Sequence, residues 1–250
     1  MNEYLKNLER IEFIVTMACT GRCIHCSEGS HERCGGHIDG AAAAKAVAEV
    51  CGKYGIRSLM TFGGEPLLYP ETVCMIHRAA REAGIPQRDI ITNGFFSRNE
   101  SRIRETAQML GESGVNRILL SVDAFHQETI PLEPVKLFAD CAVAAGICTE
   151  LSPAWLVSRD DDNPYNRRTR ELIAEFADSG TGLAEGNVIF PSGNALKYLG
   201  EYFGDSGKYF NPYEDDPRDI RSLCFGPDGS VLNGNIGTSS ILGIMEAYTP

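Results

Sequence analysis

Apolar, β-branched runs alternate with amphipathic, helix-patterned stretches along most of the chain. The run Ile11-Glu12-Phe13-Ile14-Val15 marks a strand over 11–17. Asp39 is a good N-cap, and the alanines 41–44 carry a helix from it to near Gly55. Arg57 to Phe62 reads as a second strand, ending in Gly63-Gly64-Glu65-Pro66, and Pro70 to Glu82 as a helix closed by Gly84. Asp89 to Thr92 is a third strand, ending in Asn93-Gly94, and a helix follows over 99–113. Arg117 to Val122 is a fourth, with a helix near 134–145. Two more strand–helix units fit 147–157 with 167–178, and 187–191 with a short helix near 195–202.

This alternation calls for a parallel sheet with right-handed crossovers. Six units are too few for a closed eight-fold barrel, so the expected fold class is α/β, a partial (β/α)6 barrel. Chemistry in such barrels sits in the loops after the strands' C-terminal ends. The polar motifs fall there: a cysteine loop after the first strand, GGEP after the second, TNG after the third and SVDAFH after the fourth. Residues 204–219, rich in Gly, Pro and Asp, read as a long loop. Ser222 to Phe225 and Ser230 to Leu232, joined by Gly226-Pro227-Asp228-Gly229, read as a small C-terminal β-hairpin cap. The expected division is a barrel over 1–203 and a lid loop with hairpin over 204–250.

Composition narrows the partners. Of 250 residues, 34 are Asp or Glu against 23 Lys or Arg, a net charge of −11 that disfavours nucleic acid and anionic membranes. Met1 to Lys6 has no apolar signal region, and no window approaches the ~18 apolar residues of a membrane span. The nine cysteines are odd in number and scattered. They argue for a reducing compartment, the cytoplasm, over a disulfide framework.

Cys19, Cys23 and Cys26 form a CxxxCxxC spacing. Three thiols on one loop suit an iron–sulfur cluster, with one ligand short of four; structural zinc wants four closed ligands. Cys34 is expected not to be a ligand. As a fourth ligand it would close the centre and leave an electron carrier.

Cys19-Thr20-Gly21-Arg22-Cys23-Ile24-His25-Cys26, Gly63-Gly64-Glu65-Pro66, Thr92-Asn93-Gly94 and Ser121-Val122-Asp123 together resemble the radical S-adenosylmethionine (radical SAM) superfamily, over about residues 10–195. The resemblance implies an oxidoreductase with a [4Fe–4S] cluster on the three cysteines. It also implies that S-adenosylmethionine (SAM) chelates the open iron, and that the 5′-deoxyadenosyl radical abstracts hydrogen from a peptide or small-molecule substrate. Gly63, Gly64 and Glu65 would then line the methionine part, His25 would pack near the adenine, and Ser121 would contact the ribose or carboxylate. Thr92 and Asn93 would line the same mouth, or simply form a turn. A Cβ at Gly64 is expected to block the cofactor while sparing the cluster loop. An electron donor such as flavodoxin or ferredoxin would be the partner. The hairpin resembles a shortened SPASM or twitch extension, with Asn233 where a cluster cysteine would stand.

Other residues carry two readings. Asp123 and His126, at the rim, suit substrate orientation or proton transfer, or else a turn cap and a surface residue. Cys224 suits hydrogen-atom donation to a substrate radical, or simple core packing. Cys51, Cys74, Cys141 and Cys148 read as small buried thiols. His31, Cys34 and His37 form a weak second metal pattern. Trp155 reads as core or as a stacking platform. "FPSGNA" resembles a Pro-x-Gly-Arg-Ala strand end in which Asn194 replaces the arginine.

Overall fold

The computed structural model describes residues 2–29, 31, 35–204 and 215–250; Cys34 and the centre of the 204–219 loop lie outside them. Strands β1 (Arg10–Thr16), β2 (Ser58–Gly63), β3 (Gln87–Thr92) and β4 (Arg117–Leu120) alternate with helices α1 (Gly40–Cys51), α2 (Pro70–Glu82) and α3 (Glu100–Ser113). Helices α4 (Ala124–Gln127) and α5 (Leu132–Ala144), strands β5 (Cys148–Leu151) and β6 (Ala154–Trp155), and helix α6 (Pro164–Ala174) follow. Then come β7 (Gly182–Leu183), β8 (Asn187–Val188), α7 (Gly193–Tyr198), β9 (Ser222–Phe225), β10 (Ser230–Val231), β11 (Gly234–Asn235) and α8 (Ile241–Ala247).

Seven strands form one parallel sheet in the order β7-β5-β4-β3-β2-β1-β9, a partial barrel. Strand alternation sets its two faces. Ile11, Phe13 and Leu59 are buried in a cluster with Val47 and Val50 of α1 and Ile76 of α2. Val15, Ile90, Ile118 and Leu120 enter a second cluster with α3 and α5. The alternate residues therefore face the concave side. There Arg10 pairs with Glu12 at 2.5 Å, and Arg117 with Glu150 at 2.6 Å and Asp89 at 3.8 Å.

The first five sheet strands fall where the apolar runs place them. Asp39 caps α1 through a bond from Ala42 N to its carboxylate (2.8 Å), as its residue type requires. The C-terminal end differs. Gly182–Leu183 forms the sixth strand beside β5, whereas Ala154–Trp155 and Asn187–Val188 pair outside the main sheet. The expected hairpin of 222–225 with 230–232 is also corrected. Ser222–Phe225 runs parallel to β1 in the main sheet, and Ser230–Val231 pairs antiparallel with Gly234–Asn235. The reason is apolar: Phe13 and Phe225 are both fully buried and stack with ring centroids 4.6 Å apart. Residues 204–250 thus supply an edge strand to the barrel sheet. Cys148 is exposed, not buried as expected, because it opens β5 on the alternate face from Thr149. No helix among the described residues is long and apolar enough to cross a membrane.

Truncating the stacked ring should unpin β9. Phe225→Ala is expected to cost about 3–5 kcal/mol, read from the denaturant midpoint. A loss below ~1 kcal/mol would show that β9 is held by its backbone bonds alone.

Candidate functional site

The loop between β1 and α1 carries three free thiols, those of Cys19, Cys23 and Cys26. It is wound on its own backbone: Cys26 N donates to Cys23 O (3.3 Å) and Gly29 N to Cys26 O (3.3 Å). Thr16 anchors its entry, its hydroxyl accepting from Ala18 N (3.1 Å) and donating to Gly36 O (2.9 Å). Cys19 Sγ is approached by Gly21 N (3.4 Å) and by Asn93 Nδ2 (3.6 Å). His31 Nε2 lies 3.1 Å from Cys26 Sγ, and its Nδ1 lies 2.8 Å from Met17 O. A carbonyl only accepts, so Nδ1 carries a hydrogen and Nε2 faces the sulfur. Burial, then the Glu65 carboxylate, pushes the Cys19 thiol up to about 11. Burial, then Asp123, raises Cys23 as well. A metal held by these thiols would have to displace protons from buried groups, which would make loading pH-dependent.

The end of β2 lies directly against this loop. Gly64 N donates to Thr16 O and Glu65 N to Ala18 O, both at 2.8 Å. A Cβ on Gly63 would meet Thr16 O at 2.4 Å, and one on Gly64 would meet Ala18 O at 2.2 Å. Gly63 also has φ +136°, a region that side chains disfavour. The two glycines thus admit the chain's own cysteine loop. A side chain at Gly64 would therefore press on Ala18, which adjoins Cys19.

Glu65 is fully buried and joins three strand ends. Its carboxylate accepts from Leu67 N (2.9 Å), Thr92 Oγ1 (2.7 Å) and Asn93 N (2.9 Å). Burial pushes its pKa up to about 7 despite these bonds, which pull it down. Thr92 and Asn93 are therefore bound into the site: Asn93 reaches the cysteine loop through Cys19 and Thr20, 3.2 Å from the Thr20 hydroxyl.

Past β4, Asp123 is fully buried and caps α4, accepting from Phe125 N (3.0 Å) and His126 N (2.9 Å). Its other oxygen accepts from His126 Nδ1 (2.8 Å) and Ala154 N (3.0 Å). Burial alone would raise its pKa; the His126 interactions, with help from His25, outweigh that and hold it low. Both of its oxygens are thus engaged by donors of α4, His126 and the β5 exit. His126 meets His25 edge-on at 4.7 Å, and His25 also packs against Phe125 at 4.9 Å. Donor atoms of Cys23, His25 and His126 lie within 4.8 Å of one another. Burial, then His126, lowers the His25 pKa to about 4. Its Nδ1 is buried with no protein partner, a polar atom facing the site that awaits one.

Ser121, nearly buried, hangs beside this group by a bond from its N to Thr92 O (2.9 Å). Trp155 is core, its Nε1 donating to Glu185 O (2.9 Å). His37 stacks on Tyr69 at 4.0 Å, away from the thiols. Cys224 stands on β9 opposite Glu12 of β1, on the concave face. The residue is exposed; partial desolvation of its sulfur, then Glu12 and Glu28, pushes the thiol up to about 11. His31 belongs with the thiols, although its spacing to Cys34 and His37 had suggested a separate metal pattern. Asn194 reaches them too, its amide bonding the carbonyls of Cys23 and Gly29 (both 3.2 Å).

The sequence profile of the Radical SAM superfamily matches residues 13–139. The chain belongs to the radical SAM superfamily. It is 26% identical over 131 residues to a GTP 3′,8-cyclase of Desulforamulus reducens, covering 52% of this chain and 38% of that protein. It is 28% identical over 189 residues to a probable GTP 3′,8-cyclase of Saccharolobus solfataricus, covering 75% of this chain and 58% of that one. The chain therefore spans less than two thirds of either relative. The fold matches anSMEcpe with bound AdoMet (TM-score 0.61, 15% identity, 96% of this chain and 80% of that one). It also matches Streptococcus suis SuiB bound to precursor peptide SuiA (TM-score 0.57, 12% identity, 96% and 65%).

Superfamily membership brings a [4Fe–4S] cluster and SAM. The residues present fit both. Three free thiols on one hydrogen-bonded loop are the donor set for a three-ligand cluster. The His25 Nδ1, buried without a hydrogen-bond partner next to His126 and Cys23, suits a polar cofactor beside it.

Two outcomes follow from the geometry around Glu65. Gly64→Val, by pressing on Ala18, is expected to lower iron bound per chain after anaerobic reconstitution; full iron content would show that the loop yields instead. Glu65 has a usual pKa of 4.5 and a folded value of about 7. The folded state thus binds the extra proton, and this group's contribution to stability is full below pH 4.5 and lost as pH rises through 7. Denaturant titrations of the metal-free protein should show that decline between pH 4.5 and 7, reduced in Glu65→Gln. Parallel pH profiles would assign the slope to another group.

Proposed function

We propose that the chain is a radical SAM enzyme whose cluster is held by Cys19, Cys23 and Cys26. In this reading Gly63, Gly64, Glu65, Thr92, Asn93, Ser121 and His25 shape the SAM pocket. The observation that carries the proposal is the junction of the thiol loop with the Gly64–Glu65 backbone. It brings the two most characteristic motifs of the chain into one hydrogen-bonded unit. SAM on such a cluster, given one electron, supplies methionine and a 5′-deoxyadenosyl radical, which takes a hydrogen atom from a substrate C–H bond. The chain's own residues do the rest. The thiol loop and the Glu65 network hold the site, and the apolar packing around Phe125 screens one side of it. Asp123 fixes His126 beside His25.

The concave face would receive the substrate, a peptide or a small molecule, and the fold likeness to peptide-bound SuiB agrees with a peptide. Cys224, on that face with its thiol kept protonated, serves as hydrogen-atom donor to the substrate carbon radical. The sulfur radical left behind returns to S–H by taking an electron and a proton, the electron from a flavodoxin- or ferredoxin-type donor in the cytoplasm. The second reading, an iron–sulfur electron carrier, shares the thiol loop but leaves the partnerless His25 unexplained.

The reduced, reconstituted protein with SAM under anoxia is expected to form 5′-deoxyadenosine; a protein that binds iron yet forms none would be a carrier. With the true substrate in deuterated water, Cys224→Ala should still cleave SAM while losing deuterium from the product carbon. Unchanged product and deuterium would make Cys224 structural.

A further inference from the structure

The start of α7 grips the cysteine loop from a point far along the chain. Asn194 N donates to Cys26 O (2.9 Å), Asn194 Nδ2 to both Cys23 O and Gly29 O (3.2 Å each), and Ser192 Oγ to Ser27 O (3.2 Å). Gly193, between them, sits so close that a Cβ would meet Ser27 O at 2.3 Å and Gly29 N at 2.7 Å. Four loop carbonyls that belong to neither helix nor strand thereby gain a donor, those of Cys23 and Cys26 in addition to the loop's own Cys26 N and Gly29 N. The platform is firm, because Ala195 and Leu199 of this segment are buried with Phe125, and Ile24 of the cysteine loop packs against the same cluster.

We propose that Asn194, seconded by Ser192, is a positioning residue for the cluster: its side chain clamps the carbonyls of Cys23 and Gly29, on either side of Cys26, whose own carbonyl its backbone N holds, and so fixes the backbone that carries both sulfurs. This rests on the reading that these cysteines hold iron. A primary amide is the right group, since its NH2 offers two donors to two acceptors. Asp would turn an oxygen toward both carbonyls, and Ala would remove the donor from both, leaving Cys23 O with Cys26 N alone. The clamp lies beyond residues 13–139, the span that matches the family. Cluster retention is thus made to depend on the C-terminal part of the barrel.

The test compares wild type with Asn194→Ala, Asn194→Asp and Ser192→Ala. Each reconstituted protein is mixed with a ferrous chelator under anoxia and iron release is followed. Two lost hydrogen bonds predict release about tenfold faster for Asn194→Ala, faster still for Asn194→Asp, and a smaller acceleration for Ser192→Ala. A side chain that merely fills space would not make Asp worse than Ala. In the metal-free proteins, amide exchange across 18–29 should accelerate in the same order, with far-UV spectra unchanged. Release and exchange rates in Asn194→Asp equal to wild type would overturn the proposal. If the wild type binds no iron, the ligand reading fails, while the exchange measurement still decides the clamp. Should Asn194 variants fail to fold, Ser192→Ala decides it alone, by acceleration or by none.

Discussion

The close contact between the ends of β1 and β2 is the constraint on which the rest of the site depends. Gly64 N and Glu65 N bond to Thr16 O and Ala18 O at 2.8 Å, closer than any side chain on Gly63 or Gly64 would permit. From that contact the thiol loop takes its direction and the Glu65 side chain is driven inward. Once buried, its carboxylate must be satisfied, and the backbone and hydroxyl donors of Leu67, Thr92 and Asn93 satisfy it. A third strand end is thereby tied to the first two. Asn93 then returns to Cys19, closing a circuit of polar bonds around the cysteine loop.

The opposite wall is organised by a second buried carboxylate. Asp123 caps α4, orients His126 and holds Ala154 N where the chain leaves β5. Two acids, each fully enclosed, are shifted in opposite directions: burial raises the Glu65 pKa despite its hydrogen bonds, whereas the His126 contacts outweigh burial and hold Asp123 low. Between them stand the thiols and His25. The site is thus polar at its walls and apolar behind them, which suits chemistry that water must not intercept.

Fold and site were unequally legible. Strands one to five and the helices between them follow from runs of apolar residues and from caps such as Asp39, which act locally. The placement of Ser222–Phe225 did not, since its Gly-Pro-Asp-Gly turn suggested a hairpin partner downstream. Burial of Phe225 against Phe13, across more than two hundred residues, decided otherwise. Likewise the short pairs at Ala154–Trp155 and Gly182–Leu183 are too brief to leave a periodic signal.

The sequence by itself determined the first five sheet strands and the helices between them, and gathered the cysteine spacing and the polar motifs at the strands' C-terminal ends, because spacing and alternation are properties of neighbouring residues. It also marked Gly63, Gly64 and Glu65, through the family resemblance, as a cofactor lining. Only the tertiary structure decided that the glycines make room for the chain's own loop, that His31 and Asn93 approach sulfur, and that Asn194 clasps the loop from the far end of the barrel. Those contacts join groups 5, 74 and 171 residues apart. Hydrogen bonds of that kind are set by where packing brings backbone carbonyls and sulfurs to lie, and no local pattern encodes it.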